Sequence, residues 1–315
     1  MNRLRKWGGR FLLRIVRVGS WILIIGSLIS FLFPTLYFSE LFCHFRLQHS
    51  VLLFIALLIL LKHKNWIFKG LLLLAFIANV SPILPYWGFS SSAKNEEGFR
   101  VCSINVLSYS HTYEKVIGYI QEEDPEVVVL IEVNARWKKA LEPLRVTYPY
   151  QVDASAEGNY GMMLISKKPF SSRRIEYTSF MRTPMIVATL TDGLTVAGVH
   201  FRSPDLYEKF LARNQTYRTI ARRKEFYPEN TIFIGDFNTT TYSIHLRRFI
   251  RDMKLRDSRI GRGLFSSWPS VFPPLWVPID HALVSDKLQV IRREKGPHIG
   301  SDHFPILLEV RHPDF

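Results

Sequence analysis

The chain is patterned in two ways. Through its first ninety residues, apolar positions come in long runs with no polar alternation. Val18–Phe38 carries no charged residue and is long enough to cross a hydrocarbon core as a helix. VLLFIALLILL (51–61) reaches spanning length by extending back to Cys43, and GLLLLAFIANVSPILPYW (70–87) is long enough alone. The pattern predicts a three-helix transmembrane region over 1–90, with spans at about 18–38, 43–61 and 70–87. A buried core helix is the alternative for the short second run. A cleaved signal peptide is the alternative for the first, against which stand its length and the two runs that follow.

A polar linker over 91–98 separates this region from a globular one, 99–315. There the pattern changes to short strands. FRVCSINV (99–106), EVVVLI (126–131), YGMMLIS (160–166), Met185–Thr191, Leu194–Phe201, Thr231–Asp236, Ile279–Val284 and Pro305–Val310 read as strands, with Asp192-Gly193 turning one hairpin. Helical spacing marks Tyr113–Glu122, Leu206–Lys224 and Ile244–Met253. The second of these has an outward basic side that includes Arg213. Strands outnumber helices and hairpins dominate, which predicts an α+β domain with packed sheets.

Charge adds topology and a class of partner. Lys and Arg gather before the first run (Arg3, Arg5, Lys6, Arg10, Arg14, Arg17) and between the second and third (Lys62, Lys64, Lys69), while Arg46 stands alone between the first two. The positive-inside rule then makes the N-terminus cytoplasmic and puts residues after Trp87 on the extracytoplasmic side of a plasma (inner) membrane. The net charge of +14 over 315 residues suits anionic partners: phospholipid head groups, nucleic acid or phosphorylated substrates. The two cysteines, Cys43 and Cys102, have neither metal-site spacing nor an expected disulfide.

The candidate chemistry sits at strand ends. Asn105 ends VCSIN, Glu132 ends VVVLIE, His200 ends LTVAGVH, and Asp236 and Asn238 end TIFIGDFN on one expected face. Asp280 follows an aromatic- and proline-rich loop, and Asp302 and His303 stand in GSDHFP before the last strand. Taken singly, such an Asn or Asp is a turn residue and such a His a structural hydrogen-bonder. Together, on strands lying side by side, they converge on one edge. Glu132, Asp236 and Asp302 would repel there unless a cation offsets their charge, and an all-oxygen ligand set selects a hard ion such as Mg²⁺ or Mn²⁺.

In this order, SINV, PEVVVLIEV, YGMMLIS, GVHF, IGDFN, IDHALVS and GSDHFP resemble the endonuclease/exonuclease/phosphatase superfamily, from about Phe99 to Val310. That resemblance implies a four-layer α/β/β/α sandwich and metal-dependent phosphoester cleavage by in-line attack of water. It implies Glu132, Asn105 and Asp302 at the metal, and Asp236 on the attacking water. Asn238 would orient the phosphate, His303 would contact the phosphate or act as acid/base with Asp280 holding its ring, and His200 would be the second histidine. LIEV lacks the glutamine that many members carry before the glutamate, and GVHFRSP lacks the usual threonine before the histidine. Three spans ahead of such a domain resemble a membrane-anchored bacterial branch of the superfamily.

Three functions follow as expectations: a phosphodiesterase or phosphatase held at the lipid bilayer and acting on head groups, an extracytoplasmic metal-dependent nuclease, and an inactive binding domain. No defined protein partner is indicated. The loop with Trp268, Phe272 and Trp276 would either touch the membrane interface or pack beside the site. Arg222-Arg223-Lys224 and Arg247-Arg248 read as solvated faces more readily than as nucleic-acid contacts.

Overall fold

The computed structural model describes residues 2–61, 63–88, 98–177 and 181–311. Lys62 and most of the expected linker (91–97) lie outside the described residues. The chain divides into two compact units: Met1–Pro85 with Tyr242–Ile244, and Tyr86–Thr241 with His245–Phe315.

The first unit is built from helices α1 (Asn2–Leu32), α2 (Tyr37–Cys43), α3 (Arg46–Ile59) and α4 (Trp66–Val80). Of these, α1 alone contains a straight stretch, Phe11–Leu32, long and apolar enough to cross a membrane. Its end two residues before Pro34 follows from proline's missing N–H and ring clash. The expected second span, 43–61, is broken: α2 and α3 meet at 69°. No Pro or Gly between Tyr37 and Ile59 marks that bend in the sequence. The expected third span, 70–87, is instead a 15-residue helix that begins earlier, where the Asn65 side chain accepts from the Phe68 N–H, and ends before Pro82. At 1.5 Å per residue it is about 22 Å long, short of a hydrocarbon core of about 30 Å.

Packing within this unit is apolar on both sides but polar at its heart. Ile24, Leu53, Ala56, Leu60, Phe68 and Leu72 form its core. Beside them Asn79 Nδ2 donates to Ser27 Oγ at 2.7 Å, and Arg46 lies buried with its guanidinium on Asn79 Oδ1. The outward faces carry Ile22, Leu28, Leu52, Leu58 and Leu74, all more than half exposed.

The second unit holds two six-stranded sheets. One has the order β11 (Gln289–Lys295), β12 (Ile306–Arg311), β1 (Phe99–Asn105), β2 (Val127–Ile131), β4 (Met162–Ser166), β3 (Tyr150–Ala154). The other runs β5 (Phe170–Tyr177), β6 (Pro184–Leu190), β7 (Thr195–His200), β8 (Thr231–Asp236), β10 (Asp280–Ser285), β9 (Leu255–Asp257). Both are mixed, with β1–β2 and β7–β8 parallel and the remaining pairs antiparallel. The sequence pattern did not mark β3, β5, β9 or β11.

Side-chain alternation builds the layers. In β2, Val127, Val129 and Ile131 join the core between the sheets, while Val128 and Leu130 join the outer core under α5 (Tyr113–Glu123) and α6 (Ala135–Ala140). In β8, Ile232 and Ile234 face the partner sheet, while Phe233 faces α7 (Tyr207–Arg222) and α8 (Ile244–Asp252). Strands covered on both faces read as unbroken apolar runs, as these do. The result is helices, sheet, sheet and helices in four layers.

Candidate active site

The same alternation places the polar residues. Counting by twos from inward-facing Val101 leads to Asn105; from Val196 it leads to His200; from Ile232 to Asp236; and from Ala282 back to Asp280. All four therefore stand on the inner face. His200 and Asp280 are the direct register partners of Asp236 on either side of it. Asp280 begins rather than ends its strand, and the antiparallel pairing brings it to the edge where β7 and β8 finish.

Glu132 breaks the rule. Following inward Ile131, it would point outward, but its φ is +67°, the left-handed region that a glutamate rarely adopts. Its carboxylate accepts from Asn105 Nδ2 at 3.2 Å and from the Ser108 N–H at 3.1 Å. Asn238 is likewise left-handed (φ +50°), so it does not share a strand face with Asp236 as alternation predicts. Its backbone N–H and its amide instead fold back onto both Asp236 oxygens, at 2.7 and 3.0 Å. Strained backbone gathers at functional sites because the surroundings must over-determine it. Gly235, at φ +143°, is required too: a Cβ there would lie 2.0 Å from the Val199 carbonyl oxygen.

Asp236 is the hub. His200 Nε2 lies 3.5 Å and His303 Nε2 3.9 Å from its Oδ2. His303 Nδ1 is 2.8 Å from Asp280 Oδ2, and the Asp280 backbone N–H donates to Ser267 Oγ at 3.0 Å. Burial, reinforced by the Asp280 charge, raises the Asp236 carboxyl well above its ordinary range. Burial would raise Asp280 as well, but the His303 charge and hydrogen bond hold it low. Burial opposes the His303 cation, yet Asp280 and Asp236 outweigh it and lift that ring to about 10. His200, buried without such a pairing, falls to about 3 and is neutral. Burial raises Glu132 against its two hydrogen bonds.

All eight sequence-selected residues fall within this network. Asp302 is the most peripheral: Trp268 Nε1 donates to its Oδ2 at 3.1 Å, and its charge acts on both Glu132 and His303. The Trp268 indole is thus occupied beside the site, whereas Val271, Phe272 and Leu275 of the same loop are exposed. Sequence reasoning missed four contributors. Ser108 holds Glu132 and Ser267 holds Asp280. Tyr160 stacks on His200 with ring centroids 5.0 Å apart. Arg213, expected on an outward basic face, is fully buried and donates Nη1 to the Asn238 carbonyl at 2.9 Å. Tyr160, in YGMMLIS just ahead of a strand, was the one with a usable signal.

Two sets of groups fit a cation. Single ligand atoms of Asp236, Asp280 and His303 lie within 4.8 Å of one another, but His303 Nδ1 is committed to Asp280 and Asn238 covers both Asp236 oxygens. The Glu132 carboxylate is engaged in the same way, by Asn105 Nδ2 and the Ser108 N–H, while Asp302 Oδ1 is buried with no hydrogen-bond partner; these are oxygen donors of the kind a hard divalent ion takes.

A two-sheet sandwich whose inner faces end in carboxylates, carboxamides and histidines defines a class of hydrolytic sites at a sheet edge. Residues 102–303, well over half of the chain, match the Endonuclease/Exonuclease/phosphatase family, and the protein belongs to it. Members of this family are hydrolases of phosphate esters that generally use divalent metal ions. Comparison with curated proteins gave no match. Among solved structures, the fold is similar to D. rerio TDP2 complexed with a single-strand DNA product (17% identity, TM-score 0.56, 69% of this chain and 100% of that one). It is also similar to the 3′ phosphatase NExo from Neisseria bound to a product DNA hairpin (17%, 0.56, 68% and 99%). A third is sphingomyelinase C from Streptomyces griseocarneus (16%, 0.52, 68% and 99%).

Proposed function

We propose that the protein is a membrane-anchored, divalent-metal-dependent phosphoester hydrolase acting on lipid head groups. The observation that carries the hydrolase reading is the convergence of Glu132 and His303, from the ends of strands in one sheet, with His200, Asp236 and Asp280 of the other, His303 Nδ1 lying 2.8 Å from Asp280 Oδ2. Glu132, Asn105 and Asp302 would hold the ion, Mg²⁺ or Mn²⁺, which when bound polarises a phosphoryl oxygen and stabilises the leaving oxygen. Asp236, held by Asn238 and by the neighbouring histidines, would orient a water and take its proton. Protonated His303, its ring fixed by Asp280, offers positive charge to a phosphate oxygen. Neutral His200 offers a hydrogen bond to the phosphate or the leaving group.

The anchoring reading rests on the helical unit. Only 22% of the Phe11–Leu32 window is buried, which supports a membrane-facing helix over a soluble core helix, and the exposed faces of α3 and α4 are also apolar. The bent α2–α3 pair would supply a second crossing, and α4 together with the turn that follows it to Ile83 a third, with the catalytic unit extracytoplasmic. The exposed Val271, Phe272 and Leu275, joined to Asp302 through the Ser270 N–H, support a lipid substrate. The second reading is an extracytoplasmic nuclease, which the +14 charge favours, as do the DNA-bound relatives.

The test is hydrolysis by the full chain in detergent, with Mg²⁺ or Mn²⁺ against EDTA, on mixed phospholipids and on plasmid DNA. Metal-dependent release of phosphorylated head group or phosphate from lipid, exceeding cleavage of DNA, is expected. DNA cleavage that falls steeply with salt would establish the nuclease instead. No turnover of either would remove both readings in favour of binding.

A further inference from the structure

Beside the site stands an arginine that the proposed chemistry does not use. Arg202 lies two residues past His200. Its guanidinium carbon sits 3.6 Å from the centroid of the Tyr160 ring, and Tyr160 stacks on His200 at 28°. Arginine, tyrosine and histidine thus form three layers leading outward from Asp236. The arginine is fixed at two further points: Nε donates to Thr183 Oγ1 at 2.8 Å and Nη2 donates to the Met181 carbonyl at 2.8 Å.

Each of these partners is neutral. Among the described residues Arg202 forms no ion pair, so its full charge and its Nη1 donors are uncommitted. Long side chains normally lose rotamer freedom when they bind, and here that freedom is already gone. A planar guanidinium held in one orientation without a carboxylate is preorganised for phosphate oxygens. Its position selects which phosphate. A ring layer separates it from His200, so it does not share the phosphoryl group held at His200 and Asp236.

We propose that Arg202, on its Tyr160 platform, forms a subsite for a second phosphoryl group on the substrate, next to the one cleaved. The proposal rests on the phosphoester hydrolase reading and narrows it to substrates with two neighbouring phosphates. Such a pair occurs both in a polynucleotide strand and in a lipid head group that carries an extra phosphate.

The experiment uses the full chain in detergent with Mn²⁺ and two soluble probes: the p-nitrophenyl ester of thymidine 5′-phosphate, with and without a 3′-phosphate. For wild type the 3′-phosphate lowers KM. Arg202→Ala raises KM for the doubly phosphorylated ester by about 10- to 100-fold, with little change in kcat and much less effect on the other ester. Tyr160→Phe keeps the preference for the doubly phosphorylated ester, because stacking needs the ring and not the hydroxyl. Equal losses on both esters, or none on either, would overturn the subsite. Equilibrium binding of thymidine 3′,5′-bisphosphate against thymidine 5′-monophosphate separates this from the chemistry. If wild type hydrolyses neither ester but prefers the bisphosphate, and Arg202→Ala abolishes that preference, the hydrolase reading fails while the subsite stands. The same preference in wild type and variant overturns the subsite. Competition by a bisphosphorylated dinucleotide against a phosphorylated inositol-lipid head group then distinguishes the two sources.

Discussion

The two units solve opposite problems with the same residue types. The helical unit keeps Asn79, Ser27 and Arg46 inside and shows Ile22, Leu28 and Leu74 outside. The sandwich buries Val129, Ile232 and Ala282 between its sheets and gathers Asn105, His200, Asp236 and Asp280 at one edge of that inner face. In the first unit, polar contacts such as Asn79 to Ser27 join helices whose outward faces are apolar, the arrangement membrane helices use. In the second, apolar burial is the driving force, and each polar group on the inner face must be paired or used. In the sandwich, buried polar residues serve both cohesion, as Asp257 and Arg259 do, and the candidate site at the sheet edge.

The largest effect expected from breaking this contrast is at the sheet edge. His303→Ala should lower turnover by about 10²- to 10⁴-fold and, by leaving the buried Asp280 without its partner, also lower the unfolding transition, measured by phosphoester hydrolysis and thermal melting. Near wild-type turnover by the folded variant would make His303 a packing residue. Gly235→Ala acts on the scaffold instead. Forcing a Cβ against the Val199 carbonyl should cost about 3 kcal/mol or more, read by denaturant unfolding of the sandwich.

Asp257→Asn should cost a similar amount, about 3 kcal/mol, by stranding the buried Arg259 guanidinium, whose Nη2 lies 2.7 Å from Asp257. Its pH dependence sharpens the point. Burial would raise Asp257, but Arg259 prevails and holds it below the ordinary range. A depressed carboxyl contributes stability that is present above its unfolded value of about 4 and is lost as pH falls through its folded value. The gap between wild type and Asp257→Asn should be flat near neutrality and close in acid. In the helical unit, Ile22→Asp should weaken membrane retention by about 3 kcal/mol, read by carbonate extraction, although the residue is 62% exposed. A water-facing Ile22 would tolerate the change.

Much of the sandwich was legible because strands buried on both faces write continuous apolar runs, as VVVLI does, and because each run ended in a polar residue. The edge-like strands were not: β5 alternates half-exposed residues with no apolar face, and β9 is three residues long. The site residues were legible but their geometry was not. Nothing in LIEV announces that Glu132 turns left-handed to face inward, or that Asn238 curls back onto Asp236. Periodicity also misassigned Arg213, whose burial is set by the Asn238 carbonyl, a tertiary partner. In the helices, hydropathy located the apolar segments yet not the bend between Cys43 and Arg46, because length and composition carry no information about axis direction.

The central claim is that residues from the two sheets act as one catalytic centre. A double-mutant cycle tests it most directly, with metal-dependent phosphoester hydrolysis measured for wild type, Glu132→Gln of one sheet, Asp236→Asn of the other and the pair. Residues that work as a unit are strongly non-additive. The double variant should fall little below the worse single variant. Losses that multiply, or a Glu132→Gln protein with wild-type turnover, would contradict a shared centre.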